Sequence, residues 1–364
     1  MRLDWLELRA FRSYPQLEFR PDEGVNLLVG ANGSGKTNLL EAIAYLGSLR
    51  SFRKAPDDAL IATGTAETVV RGGVAGPVSG HTIEVLLSRH ARRQVLLDGK
   101  RPSRNAELRS RLRCVTFLPD DLEIIKGGAG RRRELLDDLA AQLRPTAAAD
   151  QADFDRALRQ RNALLRGDGR LADADALASF EEAIAVSGAK VVSHRLATGE
   201  ALTPFLQAAY RALGPETVVW GYESSWADPS ATEAGLAEAL QAALAENRRK
   251  DMDRRMTTAG PQRDEPRLFL DLRSARTHAS QGEQRSLVLA LRLAAFDLLA
   301  DEFDDTPVLL FDDVFSELDP HRAAAIVERL PGAQAFLTTA RHDDVGDVSG
   351  TYWDVAATGE VVAR

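Results

Sequence analysis

Gly30-Ala31-Asn32-Gly33-Ser34-Gly35-Lys36-Thr37 satisfies the pattern G-x-x-x-x-G-K-[ST] at every position. The apolar run 25–29 ahead of it reads as a buried strand, and residues 38–49 after it carry apolar side chains at helical spacing. Strand, loop and helix in this order are what phosphate binding requires. Glycines let backbone N–H groups turn toward an anion, and the helix N-terminus adds about half a positive charge. Lys36 has the length to reach outer phosphates, and the Thr37 hydroxyl is a ligand for magnesium. The stretch Gly30–Asn38 is therefore expected to bind a nucleoside triphosphate, and it points to an α/β fold.

A second motif lies in the last sixth of the chain. Val308-Leu-Leu-Phe-Asp312-Asp313 is an apolar strand that ends in two carboxylates. Such a strand places Asp312 at the carboxyl edge of a sheet, where ligands of open α/β sheets gather. There it is expected to hold magnesium. Asp313, one residue on, is expected to point to the other side of the strand and to orient or deprotonate an attacking water. Lys36 and Asp313 are thus the expected catalytic pair. Between the two motifs stands Ser280-Gln281-Gly282-Glu283-Gln284-Arg285-Ser286, ahead of an apolar helix over 287–299. Ser280 and Glu283 also make an ordinary helix capping box, so on residues alone both readings stand.

The order of these motifs resembles the ABC-type ATPases. In those proteins a Ser-x-Gly-Gln/Glu turn caps the γ-phosphate of ATP bound by the other subunit, which assigns Ser280, Gln281, Gly282 and Glu283 to a site in trans. Ser316-Glu-Leu-Asp319 resembles their next element, a loop that crosses the dimer interface. Further stretches narrow the resemblance: Leu8-Arg-Ala-Phe11-Arg12-Ser-Tyr14, Ser51-Phe-Arg53, Phe117-Leu-Pro-Asp-Asp-Leu122, residues 127–136 with Arg131-Arg132-Arg133, and Ala259-Gly-Pro-Gln-Arg-Asp264. Together they resemble the bacterial RecF family, in the recombination and SMC branch of ABC-type heads. The resemblance implies a mixed sheet around a nucleotide-binding helix with a helical second lobe, and ATP and Mg2+ as cofactors. It further implies a weak ATPase and an ATP-dependent homodimer that binds double-stranded and gapped or junction DNA. The family acts in the cytoplasm with RecO and RecR and helps to load RecA.

Two departures from the wider ABC pattern are visible. Thr338 and Thr339 stand where a switch histidine would follow the strand 334–337, with His342 nearby. Pro119-Asp120-Asp121 occupies the place of the glutamine loop, where carboxylates either position water near the metal or solvate a turn.

Bulk properties agree with a cytosolic protein. The 364 residues leave room for two sizeable units. Cys114 is the only cysteine, which excludes an internal disulfide and a cysteine zinc cluster. Charges at Arg2, Asp4 and Glu7 exclude a secretory signal, and no apolar run is long enough to span a membrane. The net charge of −8 argues against a DNA partner until its distribution is considered. Residues 297–319 hold nine acids and no base, and the rest of the chain is close to neutral. Arg101, Arg104, Arg109, Arg111 and Arg113 are one basic cluster; Arg131, Arg132 and Arg133 are a second. Arg248, Arg249 and Lys250, with Arg254 and Arg255, are a third. Each is either a solvated face or a DNA contact.

The expected organisation is an ATPase lobe over 1–130, a helical lobe or short arm over 131–257, and the rest of the ATPase lobe over 258–364. Strands are expected at 83–87 and 94–97 with a turn at Asp98-Gly99. From Arg131 to about Met256 the apolar spacing is read as helical throughout, with strand signals returning over 267–272. An insertion of this length is too short for the coiled-coil arms of SMC proteins. A cis-acting metabolic kinase and a transporter ATPase remain as alternatives.

Overall fold

The computed structural model describes residues 1–76, 80–104, 106–167, 174–315, 318–341 and 348–364. The chain divides into two compact units, one of residues 1–121 with 289–364 and the other of residues 122–288.

The first unit is an α/β head. Its six-stranded sheet runs in the order Val361–Ala363, Thr351–Val355, Val25–Val29, Ala335–Thr339, Val308–Phe311, Cys114–Phe117. All neighbours are parallel except the first pair, so the sheet is mixed. Residues of Val308–Phe311 and Ala335–Thr339 are buried throughout, as expected of parallel strands covered on both faces. A second sheet is wholly antiparallel, in the order Tyr14–Phe19, Arg2–Phe11, Glu67–Ala75, Gly80–Ser88, Gln94–Leu97. Helix Lys36–Ser48 is buried over most of its length: Leu39, Leu40, Ile43, Tyr45 and Leu46 are fully buried and share one core with Leu3, Leu8, Val85, Leu310 and Phe336. That packing fixes the helix by its body and leaves its first turn at the loop 30–35.

The second unit carries helices Ala129–Leu143, Ala147–Arg166, Ala174–Arg211 and Glu233–Arg254. The third has 38 residues, about 57 Å at 1.5 Å per residue. One expectation is corrected here. Residues 131–256 are not helical throughout, because Val218–Glu223 is a strand that pairs antiparallel with Glu265–Leu270. Val-Val-Trp-Gly-Tyr-Glu favours an extended backbone through its β-branched and aromatic residues. Its partner lies more than 40 residues on, and its burial does not alternate, so period-two reasoning passes it over. The core of this unit also holds a buried ion network. Arg161 is fully buried and donates to Asp251 (2.7 Å), Thr257 (2.8 Å) and Glu181 (3.0 Å). Arg248 grips Glu181 from outside. The chain leaves the unit within helix Gln281–Phe303, between Val288 and Leu289.

Candidate functional site

The loop after strand Val25–Val29 needs its glycines. Gly33 and Gly35 have φ of 82° and 109°, which side chains other than glycine rarely adopt. A Cβ on Gly30 would lie 2.4 Å from the Val355 carbonyl oxygen and 2.7 Å from Ser34 Oγ. Tyr14 donates its hydroxyl to the Gly35 carbonyl (3.1 Å) and so ties the second sheet to the loop. Ser34 Oγ is buried and has no partner among the described residues. An orphaned hydroxyl beside a helix N-terminus fits an anion that accepts its proton.

Lys36 Nζ donates to the Gly30 carbonyl (2.6 Å) and the Ala31 carbonyl (3.1 Å). Burial pulls its ammonium below the ordinary lysine value, against the opposing pull of Asp313 and Asp312. Both carboxylates therefore lie within electrostatic reach of Lys36. Thr37 Oγ1 donates to Asp312 Oδ1 at 2.8 Å, and the two residues come from positions 275 apart in the chain. Burial raises the Asp312 carboxyl above the usual range, offset by hydrogen bonds from Thr37 and Thr338 and by the charge of Arg53. Among the described residues no group of three or more His, Cys, Asp or Glu side chains could hold a metal. A hydroxyl and one carboxylate are nevertheless the hard oxygen donors that suit magnesium, with phosphate and water supplying the rest.

Asp313 departs from the expected geometry. The strand ends at Phe311, and Asp313 has φ of 54°, so strand alternation does not set its direction. Aspartate tolerates this left-handed turn better than most residues. Its amide donates to Thr338 Oγ1 at 2.8 Å. Thr338 also donates to Asp312 Oδ1 at 3.0 Å. The strand runs through Thr338 and Thr339, so Thr338 is a buried strand residue touching both acidic positions. In the sequence this position stands out only for lacking histidine. The one signal was a threonine pair in an otherwise apolar strand. Around the loop's rim, Asn38 Nδ2 donates to Ser13 Oγ (2.8 Å) and Arg53 donates to Asn38 Oδ1 (3.2 Å). His342 lies outside the described residues.

Asp121 of the Pro119-Asp120-Asp121 turn is spent. It accepts from the Leu118 amide (2.9 Å) and takes a two-pronged ion pair from Arg292 (2.9 and 2.5 Å). Of the two uses open to these carboxylates, Asp121 therefore takes the structural one, in the turn.

Ser280–Glu283 belong to the second unit. Both halves of a capping box are formed: the Ser280 amide donates to Glu283 Oε2 (2.5 Å), and the Glu283 amide donates to Ser280 Oγ (3.3 Å). Hydrogen bonding by Ser280 holds the Glu283 carboxyl below its usual range. Ser280, Gln281 and Gly282 are exposed. Ser316 and Glu317 lie outside the described residues; Asp319 caps helix Pro320–Val327 by accepting from the Arg322 amide (3.0 Å).

The basic clusters separate into spent and available residues. Arg113 is buried, with its guanidinium 3.3 Å from the centroid of the Phe303 ring. Arg132 is buried and donates to the carbonyls of Ile124, Gly127 and Pro266 and to Glu265. Arg133 donates to the Asp264 carbonyl (2.6 Å), and Arg248 holds Glu181. Arg113 and Arg132 are thus corrected from DNA contacts to internal supports. Arg111, Arg249 and Lys250 are exposed, whereas Arg109 and Arg131 are partly covered.

Among the described residues no helix is long and apolar enough to cross a membrane. The model of the RecF/RecN/SMC N terminal domain matches residues 2–355. The DNA replication and repair protein RecF of Streptomyces avermitilis is 38% identical over 98% of both chains. That of Myxococcus xanthus is 36% identical over 100% of this chain and 98% of its own. A solved structure of the recombination mediator protein RecF-ATPrS in the RecFOR pathway superposes with a TM-score of 0.92 at 29% identity, covering 100% of this chain and 98% of that one. An SMC head domain from Pyrococcus furiosus shares the fold at a TM-score of 0.55 and 17% identity. Fold and sequence likeness both extend over nearly the whole chain, and the chain belongs to the bacterial RecF family of ABC/SMC-type ATPases.

Proposed function

We propose that this chain is an ATP-dependent DNA-binding protein of recombinational repair. In this reading ATP joins two copies head to tail around DNA, and slow hydrolysis releases it. The observation that carries the reading is the 2.8 Å contact between Thr37 at the start of the loop's helix and Asp312 at the end of the acidic strand. The relatives named for replication and repair, and the solved relative with an ATP analogue in the RecFOR pathway, support the assignment of process and ligand.

The phosphates of ATP are received by the backbone of Gly30–Asn38, the Ser34 hydroxyl and the Lys36 ammonium. Thr37 and Asp312 would hold magnesium, which neutralises charge on the phosphates. Asp313 orients or deprotonates the water that attacks. Ser280 and Gly282 of a second copy complete the γ-phosphate site, so that ATP bridges the halves. Loss of the γ-phosphate removes that bridge. Exposed Arg111, Arg249 and Lys250 meet the DNA backbone, and two copies double this surface. Duplex DNA at gaps or junctions, and RecR with RecO, are the proposed partners, and the cytoplasm the proposed location.

The test is the light-scattering mass of Asp313→Asn with and without ATP and Mg2+. The expected result is a rise from the 39.6 kDa monomer to twice that mass with ATP only. A monomer under both conditions removes the role in trans given to Ser280. Lys36→Met is expected to abolish nucleotide-dependent DNA binding.

A further inference from the structure

We propose that Thr338 is a positioning residue that orders both acidic residues of the nucleotide site through one hydroxyl. The inference rests on the reading of that site given above. Thr338 is 2% exposed, in a strand whose every residue is buried. A buried hydroxyl costs free energy unless bonded, and valine would fill the same volume without that cost. Here the hydroxyl is fully used. It donates to Asp312 Oδ1 at 3.0 Å, with the Phe311 carbonyl a longer alternative at 3.4 Å, and it accepts from the Asp313 amide at 2.8 Å.

Each bond has its own consequence. Asp312 Oδ1 receives two hydroxyls, one from Thr37 on the helix after the loop and one from Thr338 on the neighbouring strand. Two donors on one oxygen fix the side chain and leave Oδ2 for a cation. With its proton committed to Asp312, the Thr37 oxygen presents lone pairs elsewhere, as a metal ligand must. The second bond acts on the backbone. Asp313 turns into the left-handed region at φ of 54° directly after the strand, and the Thr338 oxygen takes the amide that this turn removes from the ladder. The direction of the Asp313 carboxylate is therefore set by a neighbouring strand.

Thr338→Val removes the hydroxyl at constant volume, and Thr338→Ser retains it. The experiment titrates Mg2+ against binding of a fluorescent ATP analogue to the full chain, alongside binding without Mg2+ and steady-state turnover. For Thr338→Val the Mg2+ needed for half-maximal binding is expected to rise about tenfold and turnover to fall about tenfold, from loss of a hydrogen bond to a charged group. Affinity without Mg2+ is expected to stay within about twofold, since the hydroxyl of Thr338 bonds to neither the loop nor Lys36. Thr338→Ser is expected to restore both. A Val variant with wild-type Mg2+ dependence overturns the proposal, as does a Ser variant that behaves like Val, because packing would then be the cause. Should the Val variant not fold, Thr338→Ala against Thr338→Ser decides by the same readouts. A wild-type protein whose nucleotide affinity ignores Mg2+ overturns the site reading itself, and the proposal with it.

Discussion

Ser280→Asp separates the two roles open to Ser280. As a helix cap, Ser280 accepts from the Glu283 amide at 3.3 Å while its own amide donates to Glu283 at 2.5 Å. Aspartate caps as well as serine, and its charge suits a helix N-terminus, so stability is expected to change by less than about 1 kcal/mol. If the position instead meets the γ-phosphate of ATP held by another copy, the introduced carboxylate would face a phosphate oxygen, at a separation taken as about 4 Å. Two unit charges at that distance repel by about 4 kcal/mol at an effective dielectric constant of about 20, roughly a thousandfold in an association constant. The assay is light scattering with a slowly hydrolysed ATP analogue and Mg2+, with a thermal melt of the same sample. The expected outcome is a wild-type melting temperature, unchanged nucleotide binding by the monomer, and no dimer at concentrations where the wild type is fully dimeric. A variant that dimerises like the wild type would leave Ser280 as a cap and refute the reasoning.

Gly30→Ala would push a methyl group to 2.4 Å from the Val355 carbonyl oxygen; backbone cannot yield cheaply, and nucleotide affinity measured by fluorescence titration is expected to fall at least about tenfold. Arg161→Met leaves buried Asp251 without its cation and Glu181 with Arg248 alone, and is expected to cost the second unit about 3–5 kcal/mol, read as a lower urea midpoint. Replacing Arg111, Arg249 or Lys250 singly by alanine is expected to reduce the slope of log affinity against log salt for DNA by about 1 each if the residue meets a phosphate. Arg132→Ala is expected to lower stability instead, since its donors serve backbone carbonyls. EDTA is expected to abolish the ATP-induced mass increase of Asp313→Asn, measured by the same scattering experiment.

Much of the candidate nucleotide site's local geometry is legible in the sequence because its demands are local. Backbone N–H groups at a helix start, a lysine and a hydroxyl must be neighbours in the chain, and the glycines at 33 and 35 are needed for φ values that the chain itself imposes. The acidic strand is legible for the same reason, since four consecutive apolar residues before two aspartates predict a buried strand ending at a sheet edge. The direction of Asp313 was not legible. The strand stops at Phe311, two residues short of Asp313, whose left-handed backbone is held by Thr338 through its amide, so strand alternation does not extend to its side chain. The strand Val218–Glu223 escaped because pairing, rather than periodicity, makes it a strand.

Charge shows the same division. From sequence, Arg113, Arg132 and Arg248 are indistinguishable from Arg111, Arg249 and Lys250, because runs of basic residues carry no record of what lies opposite. Folding sets a ring of Phe303 over Arg113, carbonyls around Arg132 and Glu181 against Arg248. The chain by itself determines an ATP-binding α/β head of a recognisable family, because short-range patterns encode loops, helices and strand interiors. Only the tertiary structure brings the hydroxyls of Thr37 and Thr338 to within 3.0 Å of the Asp312 carboxylate and separates exposed basic residues from arginines bonded within the fold. Those outcomes depend on contacts between segments up to 275 residues apart, which no local pattern contains.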